Sequence, residues 1–301
     1  MVVNNFDRVS GPAWFDADGY GGFRHDIDPG MPYVEGIEYV GDQYETCRAH
    51  EYVNDSYPGF GASFTDKAAG IVKGNTFDFV SIHARTLLAL GYEVYSVSAE
   101  AWSREFTFSE SSFAADILCG RQVSTVTGSP GEPCRHQVFP AGLRRTIEEY
   151  ADGGGNLIIS GTNIGTDIWS SVYPLVRDEE AKAEEAAFAE RVFGYKWRSG
   201  FASRSCGIQR FRSRLWSVAG LPQQCDLHNP DIYEICNPDA LSAASLRAFP
   251  VLRYDDSGLN AAIYYHSGTH KAASYGFPLE TVSDSASLQA IIADALLFFG
   301  K

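Results

Sequence analysis

Gly153-Gly154-Gly155-Asn156-Leu157-Ile158-Ile159-Ser160-Gly161-Thr162-Asn163-Ile164-Gly165 reads as the end of a helix, a buried strand and a sharp glycine-flanked turn into a second helix. The three leading glycines can stop the preceding helix and let the backbone pass close to a neighbour. Leu157-Ile158-Ile159 is a short apolar run of the kind found in a parallel strand covered on both faces. Gly161-Thr162-Asn163-Ile164-Gly165 has the G-x-Nuc-x-G spacing of a nucleophile elbow, in which a strained turn lifts one side chain above the sheet. The lifted residue is Asn163, and an amide has no proton whose loss gives a stable anion. The chain carries the frame of a covalent catalytic site with a non-nucleophilic residue at its apex.

The rest of the chain extends this pattern. Val2–Asn5 reads as a first strand, Val94–Val97 as a second and Ala115–Cys119 as a third, with Leu157–Ile159 as the fourth. Helices are expected over Asn75–Leu90, where Phe79, Ile82, Leu87 and Leu90 recur at helical spacing before Gly91, and over Phe139–Ala151. The β-α-β-β-α-β-α order with apolar strands predicts an α/β fold with a doubly wound, mostly parallel, flavodoxin-like sheet. Asp178–Val192 reads as an amphipathic helix. Strand-like alternation follows at Gly207–Val218, Leu246–Tyr254, Asn260–Tyr265 and Lys271–Phe277, and a last helix covers Ser285–Phe299. We expect one domain over 1–301, with a strand-rich part at 195–282 and a long irregular insertion at 9–74. The abrupt start in a strand leads us to expect a domain cut from a longer, exported chain.

The bulk properties narrow the function. The 301 residues carry a net charge of -14, which argues against nucleic-acid phosphate or an anionic membrane surface as partner. No apolar run approaches the ~18 residues of a membrane span. None of the six cysteines form a C-x-x-C pair, so a zinc site is not expected. Cys225 and Cys236 flank a loop-like segment where a local disulfide is an option, and Cys119 with Cys134 is another. The low Met content and many Asn, Ser, Gly and Tyr give the chain an exported character, so we expect a secreted, periplasmic or cell-surface location.

Ligands of open α/β sheets bind outside the carboxyl ends of the strands. That edge should carry Asp7, Arg8, Ser98, Glu100, Gln122, Thr162, Asn163 and Asp167, the candidate ligand-binding residues. Asn163 can hydrogen-bond a ligand there, or simply cap the following helix. Cys119 ends the third strand and is a candidate displaced nucleophile, with His83 or His270 as base and Ser160 as an alternative nucleophile; the alternative is a buried small side chain. His266 and His270 flank a Ser-Gly-Thr hairpin turn, so their spacing does not make a metal site. Asp16, Asp18, Asp26 and Asp28 offer oxygen ligands for Ca²⁺ but lack the full loop spacing. No other cofactor is expected. The insertion is rich in aromatics, among them Trp14, Phe15, Tyr20, Tyr33, Tyr57 and Phe60, which suit either a glycan-binding wall or the insertion's own packing.

Val2–Arg8, Asn75-Thr76-Phe77-Asp78 with His83-Ala84, Ser96–Glu100, Gly153–Gly165 and Tyr275–Glu280 together resemble a class I glutamine amidotransferase-like module. Such modules occur in secreted multidomain proteins of Bacteroidetes, often labelled xanthan lyase or linked to golvesin-type modules. In true amidotransferases the elbow holds a cysteine activated by a His-Glu pair. The position here is Asn163, while His266 and His270 fall where that histidine is expected. The resemblance implies a degenerate module that binds a glycan or peptidoglycan-like ligand, or scaffolds other domains of its parent chain. The alternatives are an amidase- or esterase-type hydrolase with a relocated Cys or Ser, and a polysaccharide lyase of the xanthan type.

Overall fold

The computed structural model describes residues 1–6, 14–17, 20–23, 79–109, 111–124, 136–171, 178–211, 223–224, 235 and 238–300. The strands are β1 (Val2–Asn4), β2 (Trp14–Ala17), β3 (Tyr20–Phe23), β4 (Ser96–Ser98), β5 (Ala114–Gly120), β6 (Asn156–Gly161), β7 (Tyr195–Ser199), β8 (Gly207–Arg210), β9 (Gln223–Gln224), β10 (Ala240–Ala243), β11 (Ala248–Tyr254), β12 (Asn260–His266) and β13 (Lys271–Tyr275). The α-helices are α1 (Phe79–Ala89), α2 (Ala99–Arg104), α3 (Ala141–Asp152), α4 (Thr166–Trp169), α5 (Glu179–Phe188) and α6 (Ser285–Phe299).

A nine-stranded sheet in the order β4-β1-β5-β6-β13-β12-β11-β8-β9 forms the centre of this α/β fold. The first five strands in that order are mutually parallel. The remaining pairings are antiparallel, so only β12 and β8 run against the common direction. Two small sheets, β10-β7 and β2-β3, form ladders of their own.

Both faces of the parallel strands are covered, which is why their sequences are apolar without strict alternation. On β5, Ile117 packs in one layer with Trp102 of α2, Leu143 and Ile147 of α3 and Phe188 of α5. Its neighbour Leu118 points the other way, against Phe79 of α1. That second layer continues with Leu87 of α1 and Leu288, Ile291, Ile292 and Leu296 of α6. Full burial of each such side chain stabilises the fold by roughly 1.5–3 kcal/mol. α6 is apolar on most of its circumference because it is packed on the sheet and on α1, while Asp284 caps its start by accepting from the Ala286 and Ser287 N–H groups.

Several expectations need correction. A short helix, α2, stands between β4 and β5. Ser98 starts it by accepting from the Ala101 N–H, an N-cap that six residues of weak periodicity hide in the sequence. The segment 9–74 contains the antiparallel pair β2-β3, with Ala17 opposite Tyr20. The helix after the glycine-flanked turn is only four residues long. α5 hands over at Ala189 to a π-helical turn ending at Phe193, where Gly194 (φ 72°) stops it in the left-handed conformation. Leu246–Tyr254 divides into the end of a turn and β11, and β8 ends at Arg210. The glycine triplet does end α3: Gly154 has φ 89°, and a side chain on Gly155 would overlap the Tyr150 ring.

Candidate ligand site at the carboxyl edge of the sheet

The carboxyl ends of β1, β5, β6 and β13 meet at one edge, and the connections leaving them are tied to one another. After β1, the Asn5 amide donates to the Val138 carbonyl at 2.9 Å and approaches the Cys119 sulfur at 3.5 Å. After β5, Gly120 takes φ 48° and lies flat against Phe6; a methyl group there would fall 2.2 Å from the Phe6 ring. After β6, Thr162 N–H donates to the Gly120 carbonyl. The Asn163 amide donates to the Arg121 carbonyl at 3.3 Å.

The elbow itself is held by packing instead of strain. Among the described residues, the non-glycine positions with positive φ are His136, Phe201 and Cys206, so Asn163 is not in the strained conformation of a nucleophile elbow. Gly161 is required because a side chain would meet the Cys119 Cβ at 2.8 Å, and Gly165 because it would meet Trp197 at 2.6 Å. The N-terminal donors of α4 go to Asp239, which accepts from Gly165 N–H (2.6 Å), Thr166 N–H (3.0 Å), the Thr166 hydroxyl (2.5 Å) and the Trp197 indole (3.0 Å). Asp167 is also a clamp: it accepts from Ser124 N–H at 2.7 Å and Val138 N–H at 3.1 Å, pinning both flanks of the β5–α3 connection.

Cys119, Gln122, Thr162, Asn163 and Asp167 thus come together at this edge, and all five are buried. Thr162 Oγ1 has no hydrogen-bond partner among the described residues. Ser98 lies at the same edge beside Asn4, as the cap of α2, and Glu100 points to solvent in an i,i+4 pair with Arg104. Asp7 and Arg8 lie outside the described residues. So do Asp18, Asp26, Asp28, Cys134, Cys225 and Cys236, which carried the Ca²⁺ and disulfide options; Cys119 itself is a free thiol.

The histidines do not join Cys119. His270 is at the opposite edge, in the turn that precedes β13, where Nε2 donates to the Val192 carbonyl at 2.7 Å and Nδ1 meets the Ser267 hydroxyl. Burial lowers its pKa. His83 lies on the α1 face of the sheet, whereas Cys119 belongs to the layer on the other face. Burial pushes the Cys119 thiol up to about 12, so it holds its proton at neutral pH.

His83 instead centres a buried ionic cluster that sequence reading missed. Its Nδ1 donates to Asp116 Oδ2 at 2.7 Å and its Nε2 to Glu280 Oε2 at 3.3 Å. Burial alone lowers the imidazole pKa, but the two carboxylates, Asp116 foremost, outweigh it and raise it to about 10. The legible signal was Asp116 itself, a charge inside the apolar run Ala114–Gly120, where a buried carboxylate requires a partner. Register places Ser160 on the same face as Asp116, one strand over. Its hydroxyl and Asp116 Oδ1 have no partner among the described residues. The two histidine nitrogens point to different carboxylates, and among the described residues no group of three His, Cys, Asp or Glu side chains is arranged to hold a metal ion. No helix among them is long and apolar enough to cross a membrane.

No family model matches the chain, and no curated protein matches it in sequence. Among solved structures it is similar to the β-galactosidase from Rahnella sp. R3, at 13% identity and a TM-score of 0.47, over 74% of this chain and 27% of that one. It is similar to the exo-β-1,4-mannosidase Op5Man5 from Opitutaceae bacterium strain TAV5, at 12% identity and a TM-score of 0.43, over 71% and 30%. Cytoplasmic protein STM3548 from Salmonella typhimurium matches at 11% identity and a TM-score of 0.45, over 73% and 86%. The chain spans less than a third of either glycosidase, and likeness at this level transfers no activity.

Proposed function

We propose that the chain is a degenerate amidotransferase-like module with a flavodoxin-like core, which binds a glycan or peptidoglycan-like ligand at the carboxyl edge of its sheet without covalent chemistry. Its parent would be a secreted or cell-envelope protein. The parallel strands support the flavodoxin-like core: in chain order, leaving out the β2-β3 hairpin and the strands inserted before β13, they lie 2-1-3-4-5 across the sheet. The observation that carries the loss of catalysis is the apex of the elbow. Asn163 is buried, unstrained and bonded to the Arg121 carbonyl, and Cys119, the described thiol at this edge, is protonated and separated from both candidate histidines by the sheet or by its length. A thiol whose pKa is raised by burial and that neither His83 nor His270 reaches is not activated by either candidate base.

The test is product analysis. The folded protein is incubated with glutamine, with chitohexaose, with a GlcNAc–MurNAc peptide and with a glucuronate-containing polysaccharide, and the mixtures are read by mass spectrometry. The proposal expects every substrate to be returned intact. Release of ammonia, a shortened sugar or an unsaturated sugar product would replace it with the amidotransferase, hydrolase or lyase reading respectively.

A further inference from the structure

Two polar atoms inside the layer between the sheet and α1 have no hydrogen-bond partner among the described residues: Asp116 Oδ1 on β5 and the Ser160 hydroxyl on β6. Asp116 is 2% exposed and Ser160 0%. A polar group buried without a partner is costly, so each of these atoms calls for one.

Neighbouring protein groups do not supply it. Register sets Asp116 beside Ile158 and Leu118 beside Ser160, so Asp116 and Ser160 are diagonal neighbours on one face, with Cα atoms roughly 8 Å apart by strand spacing and rise. Leu118 and Ile158, at the other two corners, are apolar and buried. His83 Nδ1 is engaged by Asp116 Oδ2 and His83 Nε2 by Glu280. Tyr275, opposite Ser160 on β13, turns its hydroxyl to that of Tyr264 at 3.1 Å. The backbones of β5 and β6 are paired with a strand on either side.

A carboxylate oxygen only accepts, whereas a hydroxyl can donate. The two atoms suit each other chemically, yet they make no direct bond. A single molecule that accepts from one and donates to the other satisfies both. The structure assigns an internal water to this position, accepting from Ser160 Oγ and donating to Asp116 Oδ1. Two to four polar partners are what a buried water requires. A metal ion does not suit the place: the His83 imidazolium, 2.7 Å from the other Asp116 oxygen, opposes a second cation, and two oxygens fall short of the six to eight that Ca²⁺ takes. Ser160 immediately precedes Gly161, the first glycine of the elbow. The water thus joins the end of β6 to the Glu280–His83–Asp116 chain, which already ties the turn between β13 and α6 to α1 and β5.

The experiment is a room-temperature crystal structure of the wild type at high resolution, with ¹⁷O magnetic relaxation dispersion of the wild type and Ser160→Ala to count long-lived internal waters. The density should show an oxygen within hydrogen-bond distance of both Asp116 Oδ1 and Ser160 Oγ, and Ser160→Ala should lose one long-lived water. A direct Asp116–Ser160 hydrogen bond, a metal ion, or no density between the two atoms would overturn the assignment. So would an unchanged water count in Ser160→Ala. If Ser160→Ala does not fold, the wild-type density decides alone.

Discussion

Replacing His83 with leucine removes the positive charge between Asp116 and Glu280 and leaves two buried carboxylates facing an apolar side chain. The size of the effect follows from the structure. The imidazole pKa stands at about 10 in the folded protein against 6.5 for the free side chain. A folded-state pKa above the unfolded one means that protons favour folding. The contribution is complete below pH 6.5 and is lost as pH rises through about 10. At about 1.4 kcal/mol per pH unit, roughly 4 kcal/mol of it is still present at pH 7. Removing one member of a buried ion pair costs about 3–5 kcal/mol in other proteins, which agrees. The assay is urea unfolding of wild type and His83→Leu at intervals from pH 6 to about 10. The wild type should lose stability steadily up to about pH 10, and the variant should start lower and lack the loss that runs up to about pH 10. His83→Leu with Asp116→Leu and Glu280→Leu should recover most of the loss, because no charge is then stranded. A His83→Leu variant within about 1 kcal/mol of wild type at pH 7 would refute the ionic cluster as a determinant of stability.

Three further outcomes follow from the carboxyl edge. Asn163→Cys puts the amidotransferase-type residue at the elbow but should show no glutaminase activity, because neither His83 nor His270 stands beside it; losing the bond to the Arg121 carbonyl should cost about 1 kcal/mol in thermal or urea unfolding. Cys119 should resist iodoacetamide in the native protein at pH 7 to 8 and react fully once unfolded, as mass spectrometry of labelled protein would show; rapid native labelling would contradict its burial. Gly120→Ala should destabilise by about 2–4 kcal/mol, since the added methyl meets the Phe6 ring and the residue must hold φ 48°; a change below about 0.5 kcal/mol would show that Phe6 is free to move aside.

Long, strongly patterned elements were legible in the sequence. α6 occupies Ser285–Phe299 as expected, and the runs Asn260–Tyr265 and Lys271–Phe277 hold β12 and β13. The short ones were not. α2 has too few residues to show a period, and its cap, Ser98, read as a ligand-binding residue. β10, Ala240–Ala243, pairs with β7 without the β-branched residues that mark a strand. The edge of the site was legible from the glycines, but their reason was not. Gly161 and Gly165 make room for Cys119 and Trp197, neighbours distant in sequence, so the same spacing that suits a strained elbow here serves close packing. Asp239 and Glu280 could not be assigned from sequence, because their partners lie 73 and 197 residues away.

Glycan binding at this edge without cleavage is the function proposed above. The direct measurement is a titration of the ¹⁵N-labelled protein with chitohexaose, followed by amide chemical shifts, with the sugar's anomeric proton signals read in the same sample. Saturable shifts are expected at Thr162–Gly165, with the hexaose intact. Shifts elsewhere, no shifts at all, or the growth of new reducing-end signals would contradict it.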